Sequence, residues 1–200
     1  TRHRNQLEQD RRKELAVKEK RSRHEAARTG ALLRVAGRLN AQLDLDTLLE
    51  TIAEETIQAL NASISIVSLY SPKQDALSPV QGKGLTQEQL KSIPAFPKSN
   101  YDQAVADLGN IFALPDLQAI RTISYLDEFK KLNFRSMAAA TMEYEHQLIG
   151  SLTVISYGDI RDFTDEELLL LKGLADQAAL AIVNTKLFKE ITLRLMGNNL

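Results

Sequence analysis

The clearest periodicity of this chain lies in its second half. Met137–Tyr144 and Leu148–Tyr157 alternate between two sets of side chains on either side of Glu145-His146-Gln147, which predicts a β-hairpin. Alternation puts Met137, Ala139, Thr141 and Glu143 on one face and Ala138, Ala140, Met142 and Tyr144 on the other. The small side chains of Ala139 and Thr141 leave room on theirs. Gly150 marks a bulge or a close approach of two backbones. An acidic segment, Asp162-Phe163-Thr164-Asp165-Glu166-Glu167, then opens a long helix from Leu168 to Leu195.

Upstream, Asn5–Gln42 contains no proline and reads as one long helix. A heptad register through Ser22, Ala26, Thr29, Leu33, Ala36, Asn40 and Leu43 predicts a parallel helix pair from about residue 22; before it, Leu7 and Leu15 stand isolated among charges. Asp46 is expected to cap the next helix, Thr47–Leu60. That helix carries Leu48, Leu49, Ile52, Ile57 and Leu60 on one stripe and Glu50, Glu54 and Glu55 away from it. Ser63–Ser71 is rich in β-branched residues and predicts a strand, turned at Pro72-Lys73-Gln74-Asp75 into a short return strand, Ala76–Gln81. Thr86–Ser92, Asp102–Leu108 and Thr122–Leu132 predict helices, Ile111–Leu114 a brief strand, and Pro94 and Pro97 breaks in regular structure. Helices at both ends of a strand-rich middle define an α+β class with a central antiparallel sheet.

The chain has 200 residues and no cysteine. That excludes disulfides, thiolate metal sites and thiol nucleophiles, and it agrees with a cytoplasmic setting. No apolar run approaches the ~20 residues of a membrane span, so no membrane insertion is expected. Neither end reads as a natural start or stop, and the chain is expected to be a fragment of a longer protein. Thr1–Arg38 holds twelve Arg or Lys against five Asp or Glu in a chain of net charge −1. Its charges alternate, with Glu14→Lys18 and Glu19→Arg23 at helical spacing, and it lacks stacking aromatics, so a solvated helix is expected and no nucleic-acid binding.

Several short motifs share an order along the chain. Leu45-Asp46-Thr47-Leu48-Leu49 comes first, then Leu114-Pro115-Asp116, then Phe134-Arg135-Ser136 at the start of the hairpin. Gly150-Ser151-Leu152, Phe163-Thr164-Asp165-Glu166-Glu167 and Leu174-Ala175-Asp176-Gln177-Ala178 follow. In this order and spacing the chain resembles a GAF domain, a small-molecule sensor module, over about residues 39–190. The resemblance implies terminal helices on one face of the sheet and, on the other, a ligand pocket under a crossover, all preceded by a long signalling helix. It divides the chain into a signalling or coiled-coil helix (1–42), the GAF domain (43–190) and a helical extension toward an output domain (191–200). Carried over residue by residue, it implies Tyr101, Asp116, Tyr125, Phe129, Met137, Ala139, Thr141, Thr153 and Ile155 as ligand-binding residues. Where many members have a glycine-rich turn, this chain has Lys98, Asn100, Asp102 and Gln103. The absence of cysteine argues against a covalently held bilin, and Asp127-Glu128 lacks the partners of the cyclic-nucleotide signature.

No residue pattern reads as a catalyst. His146 is the only histidine of the globular part and has no companions for haem or metal ligation, so a solvated turn histidine is expected. Gly82-Lys83-Gly84 lacks the remainder of a phosphate loop. The expected function is a non-enzymatic sensory and dimerisation module of a bacterial signalling protein, such as a two-component system. Its ligand is an unknown small molecule, its cofactor is unknown, and its homodimer is held by Ser22–Leu43 and Leu174–Leu195. The alternative is the same fold with a filled core, serving only to pair protomers. A small enzyme of the methionine sulfoxide reductase kind would want the cysteine this chain lacks.

Overall fold

The computed structural model describes residues 2–121 and 123–197, and the side chains among them except those of residues 2–5, 125 and 128. The chain divides into two units, one up to Arg34 and one from Val35 onward. The first unit is helical throughout its described residues. It carries exposed charges paired along the helix, as in Arg23–Glu19 at 2.5 Å and Arg21–Glu25 at 3.5 Å, which is how a polar helix satisfies its surface.

The second unit begins with the last turns of α1 (Arg2–Asn40) and continues into α2 (Leu45–Leu60). The cap of α2 lies two residues before the expected Asp46. Asp44 has extended backbone and its carboxylate accepts from the Thr47 N–H and the Thr47 hydroxyl, both at 2.9 Å, whereas Asp46 lies inside the first turn. Those bonds hold the Asp44 carboxyl below its ordinary pKa. Leu48, Leu49, Ile52 and Leu60 are buried as the stripe predicts, with Ile57 only partly covered. Glu55 was expected in solvent and is instead buried at 9% exposure. Its carboxylate pairs with Arg38 of α1, a long-range partner that helical periodicity cannot reveal.

A six-stranded antiparallel sheet follows, in the order β3-β2-β1-β6-β5-β4. Its strands are β1 (Ile64–Ser71), β2 (Ala76–Lys83), β3 (Phe96–Pro97), β4 (Ile111–Leu114), β5 (Phe134–Tyr144) and β6 (Gln147–Tyr157). The Pro72–Asp75 turn and the β5–β6 hairpin stand where the pattern puts them. Pro97 is not a break: with Phe96 it forms an edge pair to Ala76 and Leu77, a position where a missing N–H costs nothing. The hairpin reverses through Glu145 and His146, both with positive φ (49° and 63°), the type I′ geometry that matches strand twist.

The crossover holds α3 (Gln87–Ser92), α4 (Lys98–Leu108), a 3-10 turn at Leu117–Ala119, a second at Ser124–Leu126 and α5 (Asp127–Lys131). Thr86 and Gln89 form a reciprocal capping box at the start of α3. α4 starts four residues earlier than the expected Asp102, because Pro97 precedes it and Lys98 pairs with Asp102 at 2.6 Å. The expected helix Thr122–Leu132 is replaced by the second 3-10 turn and the short α5; Thr122 lies outside the described residues.

The final helix, α6 (Asp165–Gly197), opens on a capping box formed by Thr164 and Glu167. It has the length and mean hydropathy of a membrane span. However, Leu171, Leu174, Ala175, Ala178, Ala179, Ala181 and Ile182 are buried in the domain core. α2 and α6 cover the sheet face that carries Val67, Ala138, Ala140, Met142, Leu152 and Val154, all essentially inaccessible. Ser65 on that face donates to the Ala53 carbonyl of α2 at 2.7 Å. Arg161 ties the parts together, donating to the carbonyls of Leu60 and Asn61, pairing with Glu167 at 2.8 Å and lying 4.6 Å over the Phe163 ring.

Gly150 is a close-approach point: a Cβ built there would meet the Ser68 carbonyl oxygen at 2.0 Å and the Met142 methyl at 2.8 Å. Gly150→Ala is therefore expected to destabilise the domain by about 2 kcal/mol or more. Gly37→Ala, in a helix with nothing near its added methyl group, is expected to be neutral or stabilising by up to about 1 kcal/mol. Urea unfolding of both variants checks the pair.

Candidate functional site

The sheet face away from α2 and α6 faces the crossover, and a cavity of about 70 Å³ lies between them. Strand register arranges its floor in three rungs. Ile155 and Met137 lie side by side, followed by Ile66, Thr153 and Ala139, then Ser68, Ser151 and Thr141. One end of the floor is consequently aliphatic and the other lined with hydroxyls. Phe112 of β4 extends the middle rung beside Ala139, and Leu77 and Pro79 of β2 extend the opposite margin.

The roof comes from the crossover. Phe96 and Phe129 meet edge to face with ring centroids 5.6 Å apart, and Ile93, Pro94, Ala104 and Leu126 fill in around them. Tyr101, on α4, reaches down to the sheet, and its hydroxyl lies 2.5 Å from Thr141 Oγ1. Burial holds the Tyr101 phenol above its ordinary pKa, partly opposed by the hydrogen bond to Thr141. Across the described residues, no cluster of three His, Asp or Glu side chains is close enough to hold a metal ion.

Of the residues implied by resemblance, Tyr101, Phe129, Met137, Ala139, Thr141, Thr153 and Ile155 converge on this cavity. Asp116 does not. It precedes the Leu117–Ala119 turn and pairs with Arg135 at 2.8 Å, away from the lining. Arg135 has no partner on β6 because the register slips between Phe134 and Ser136, and this bulge frees it to reach Asp116. Both groups are half-buried and serve to tie the crossover to the start of β5. The side chain of Tyr125 lies outside the described residues.

Sequence reasoning missed Ser68, Ser151, Phe96 and Phe112. The two serines follow from period two: Ser68 continues Ile64 and Ile66, and Ser151 continues Ile155 and Thr153. Phe96 and Phe112 carry no such signal, since each belongs to a very short strand whose neighbours are fixed only by the folded crossover. Lys98, Asn100, Asp102 and Gln103, which stand where many members have a glycine-rich turn, lie in the first turns of α4, and this helix presents Tyr101 to the sheet.

A curled antiparallel sheet with helices on one face and a roofed cavity on the other defines an α+β architecture of the sensory-domain type. The family model of the GAF domain matches residues 44–182, and the chain belongs to that family. Among solved structures, it is similar to the GAF domain of a phosphoenolpyruvate-protein phosphotransferase from Coxiella burnetii. Identity there is 14% and the TM-score 0.65, over 80% of this chain and 94% of that one. The GAF domain of the cyanobacteriochrome TePixJ is 21% identical, with a TM-score of 0.63 over 74% of this chain and 95% of that one. A domain of a putative two-component sensor histidine kinase from Sinorhizobium meliloti is 15% identical, with a TM-score of 0.56 over 72% and 93%. At these identities the likeness is one of fold. The sequence matches no curated protein at a significant level.

Replacing Tyr101 by Phe removes the hydrogen bond to Thr141 and is expected to cost about 1 kcal/mol at neutral pH. The pH dependence has a definite sign. The folded phenol titrates above its ordinary value of 10.0, so the unfolded chain loses this proton first as pH rises. The Tyr101 contribution is complete below about pH 9 and declines above 10. Urea unfolding of both proteins from pH 7 to 11 should show the wild-type advantage shrinking at the alkaline end.

Proposed function

We propose that this domain is a non-catalytic sensory module: a small molecule in the cavity under the crossover biases the packing of the flanking helices. The observation carrying this reading is the partly enclosed, mainly apolar cavity with one hydroxyl-lined end. A few convergent polar groups in an apolar concavity are the usual make-up of a small-molecule site. The ligand-binding residues are taken as Tyr101, Phe129, Met137, Ala139, Thr141, Thr153 and Ile155. A cytoplasmic location in a bacterial-type signalling protein fits both the cysteine-free composition and the sensor kinase and chemotaxis protein among the structural neighbours. The kinase, cyclase or phosphatase it would control belongs to an output domain.

The same helices supply the dimer. On α6, Leu180, Asn184, Leu187 and Ile191 recur at alternating spacings of four and three, and the leucines and isoleucine are exposed. A groove lined by Leu39, Leu43, Leu180, Asn184 and Phe188 continues this stripe. A second copy of the chain, pairing through Ser22–Leu43 and Leu174–Leu195, would cover it. The competing reading, a ligand-free pairing module, is favoured by the small size of the cavity, about 70 Å³ where drug-sized ligands occupy several hundred.

A thermal-shift screen against metabolites separates the readings. A specific ligand at a hundred times its Kd is expected to stabilise the domain by about 2.7 kcal/mol, and Ala139→Leu, which fills the cavity, should abolish that gain. No gain with any ligand class favours the pairing module. Native mass measurement is expected to give a dimer for the wild type and a monomer for the Leu187→Glu/Ile191→Glu variant; a wild-type monomer refutes the pairing proposal.

A further inference from the structure

Among the described residues, the cavity lining contains no Lys, Arg, His, Asp or Glu. Any charge carried into it would lose its hydration and meet no counter-charge, a cost that ordinarily excludes ions. The polar side chains of the described lining are all neutral hydroxyls. Tyr101 and Thr141 share one hydrogen bond, which uses one hydroxyl proton and leaves the other available. The side chains of Ser68, Ser151 and Thr153 make no hydrogen bond to any described residue. They stand on the same side of the sheet, Ser68 and Ser151 in the end rung with Thr141, and Thr153 in the middle rung next to it. Among the described residues, the opposite end, around Ile155 and Met137, offers hydrocarbon and thioether surface.

Resting on the reading of this cavity as a ligand site, we propose that its ligand is a small uncharged molecule. It has an apolar body seated on Ile155 and Met137 and one neutral oxygen, a carbonyl or a hydroxyl, bonded at Thr141 and Thr153. The volume bounds its size. An apolar cavity of ~150 Å³ takes a benzene ring, so one of about 70 Å³ suits roughly three to five heavy atoms. Phosphate esters, carboxylates and amines are disfavoured for want of a counter-ion among the described lining residues, and a ligand as large as a nucleotide or a tetrapyrrole is excluded by volume.

Three probes of one shape, differing only in the head group, test this: butan-2-one, propionate and 2-methylbutane. The chain has three methionines, and they serve as reporters. Met137 lines the cavity, Met142 is buried on the helix-covered face and Met196 is exposed. In ¹³C-methyl-methionine spectra, assigned by single Met→Leu substitutions, butan-2-one is expected to shift Met137 saturably and leave Met142 and Met196 unmoved. Its affinity should be at least tenfold above that of propionate and severalfold above that of 2-methylbutane. Thr153→Val and Thr141→Val should each reduce the preference for the ketone over the alkane while retaining alkane binding.

Propionate binding as tightly as butan-2-one would overturn the proposed ligand class and leave the cavity as a ligand site. Equal affinity for the alkane and the ketone would overturn the role of the hydroxyls. If no probe moves Met137, both the ligand class and the cavity reading fall.

Discussion

The structure depends on the two-sidedness of the β5–β6 hairpin. Successive residues of a strand point to opposite faces, so a single register decides which side chains meet α2 and α6 and which meet the crossover. On the helix side, Ala138, Ala140, Met142, Leu152 and Val154 are sealed. On the other, Met137, Ala139, Thr141, Thr153 and Ile155 floor the cavity. Slipping the pairing by one residue would put hydroxyls against the helices and leave the cavity without its polar end. Gly150 contributes to fixing that register, because β1 and β6 approach at this point more closely than a side chain allows.

Two kinds of tie hold the layers in place around the hairpin. Arg161 joins the C-terminal end of α2 to the start of α6 by donating to carbonyls that the helix itself leaves unpaired. Arg38 and Glu55 connect the end of α1 to α2 through a partly buried ion pair. Removing one partner of such a pair leaves a charge with poor solvation, which costs more than the pair contributes when intact. Any change in how α1 leaves the domain therefore bears on α2 and, through α2, on the sheet.

Legibility varied with the range of the forces involved. The hairpin, the Pro72–Asp75 turn, α3 and the long terminal helices were readable because their signals are local. Caps, turns and alternation operate within a few residues. Asp44 rather than Asp46 caps α2 because the helix begins a turn earlier than its apolar stripe, and stripe and cap are independent signals. The crossover read worst. Its helices are too short to declare themselves by period, and Phe96-Pro97 becomes a strand only because β2 lies beside it. Asp116 stood within a motif shared with the family, yet a bulge at Arg135 draws it into an ion pair instead of the cavity.

The sequence by itself determined the α+β class, the hairpin, its two faces and the absence of thiol chemistry, since these follow from residue identity and short-range periodicity. The tertiary structure alone decided that Ser68, Ser151 and Thr141 share a rung and that Tyr101 reaches it from a helix. It likewise decided that Phe96 and Phe129 close the roof and that Glu55 is buried beneath Arg38. Each of these is a meeting of residues from different parts of the chain. Such meetings are set by strand register and layer packing, which involve the whole fold and leave no mark in any one segment.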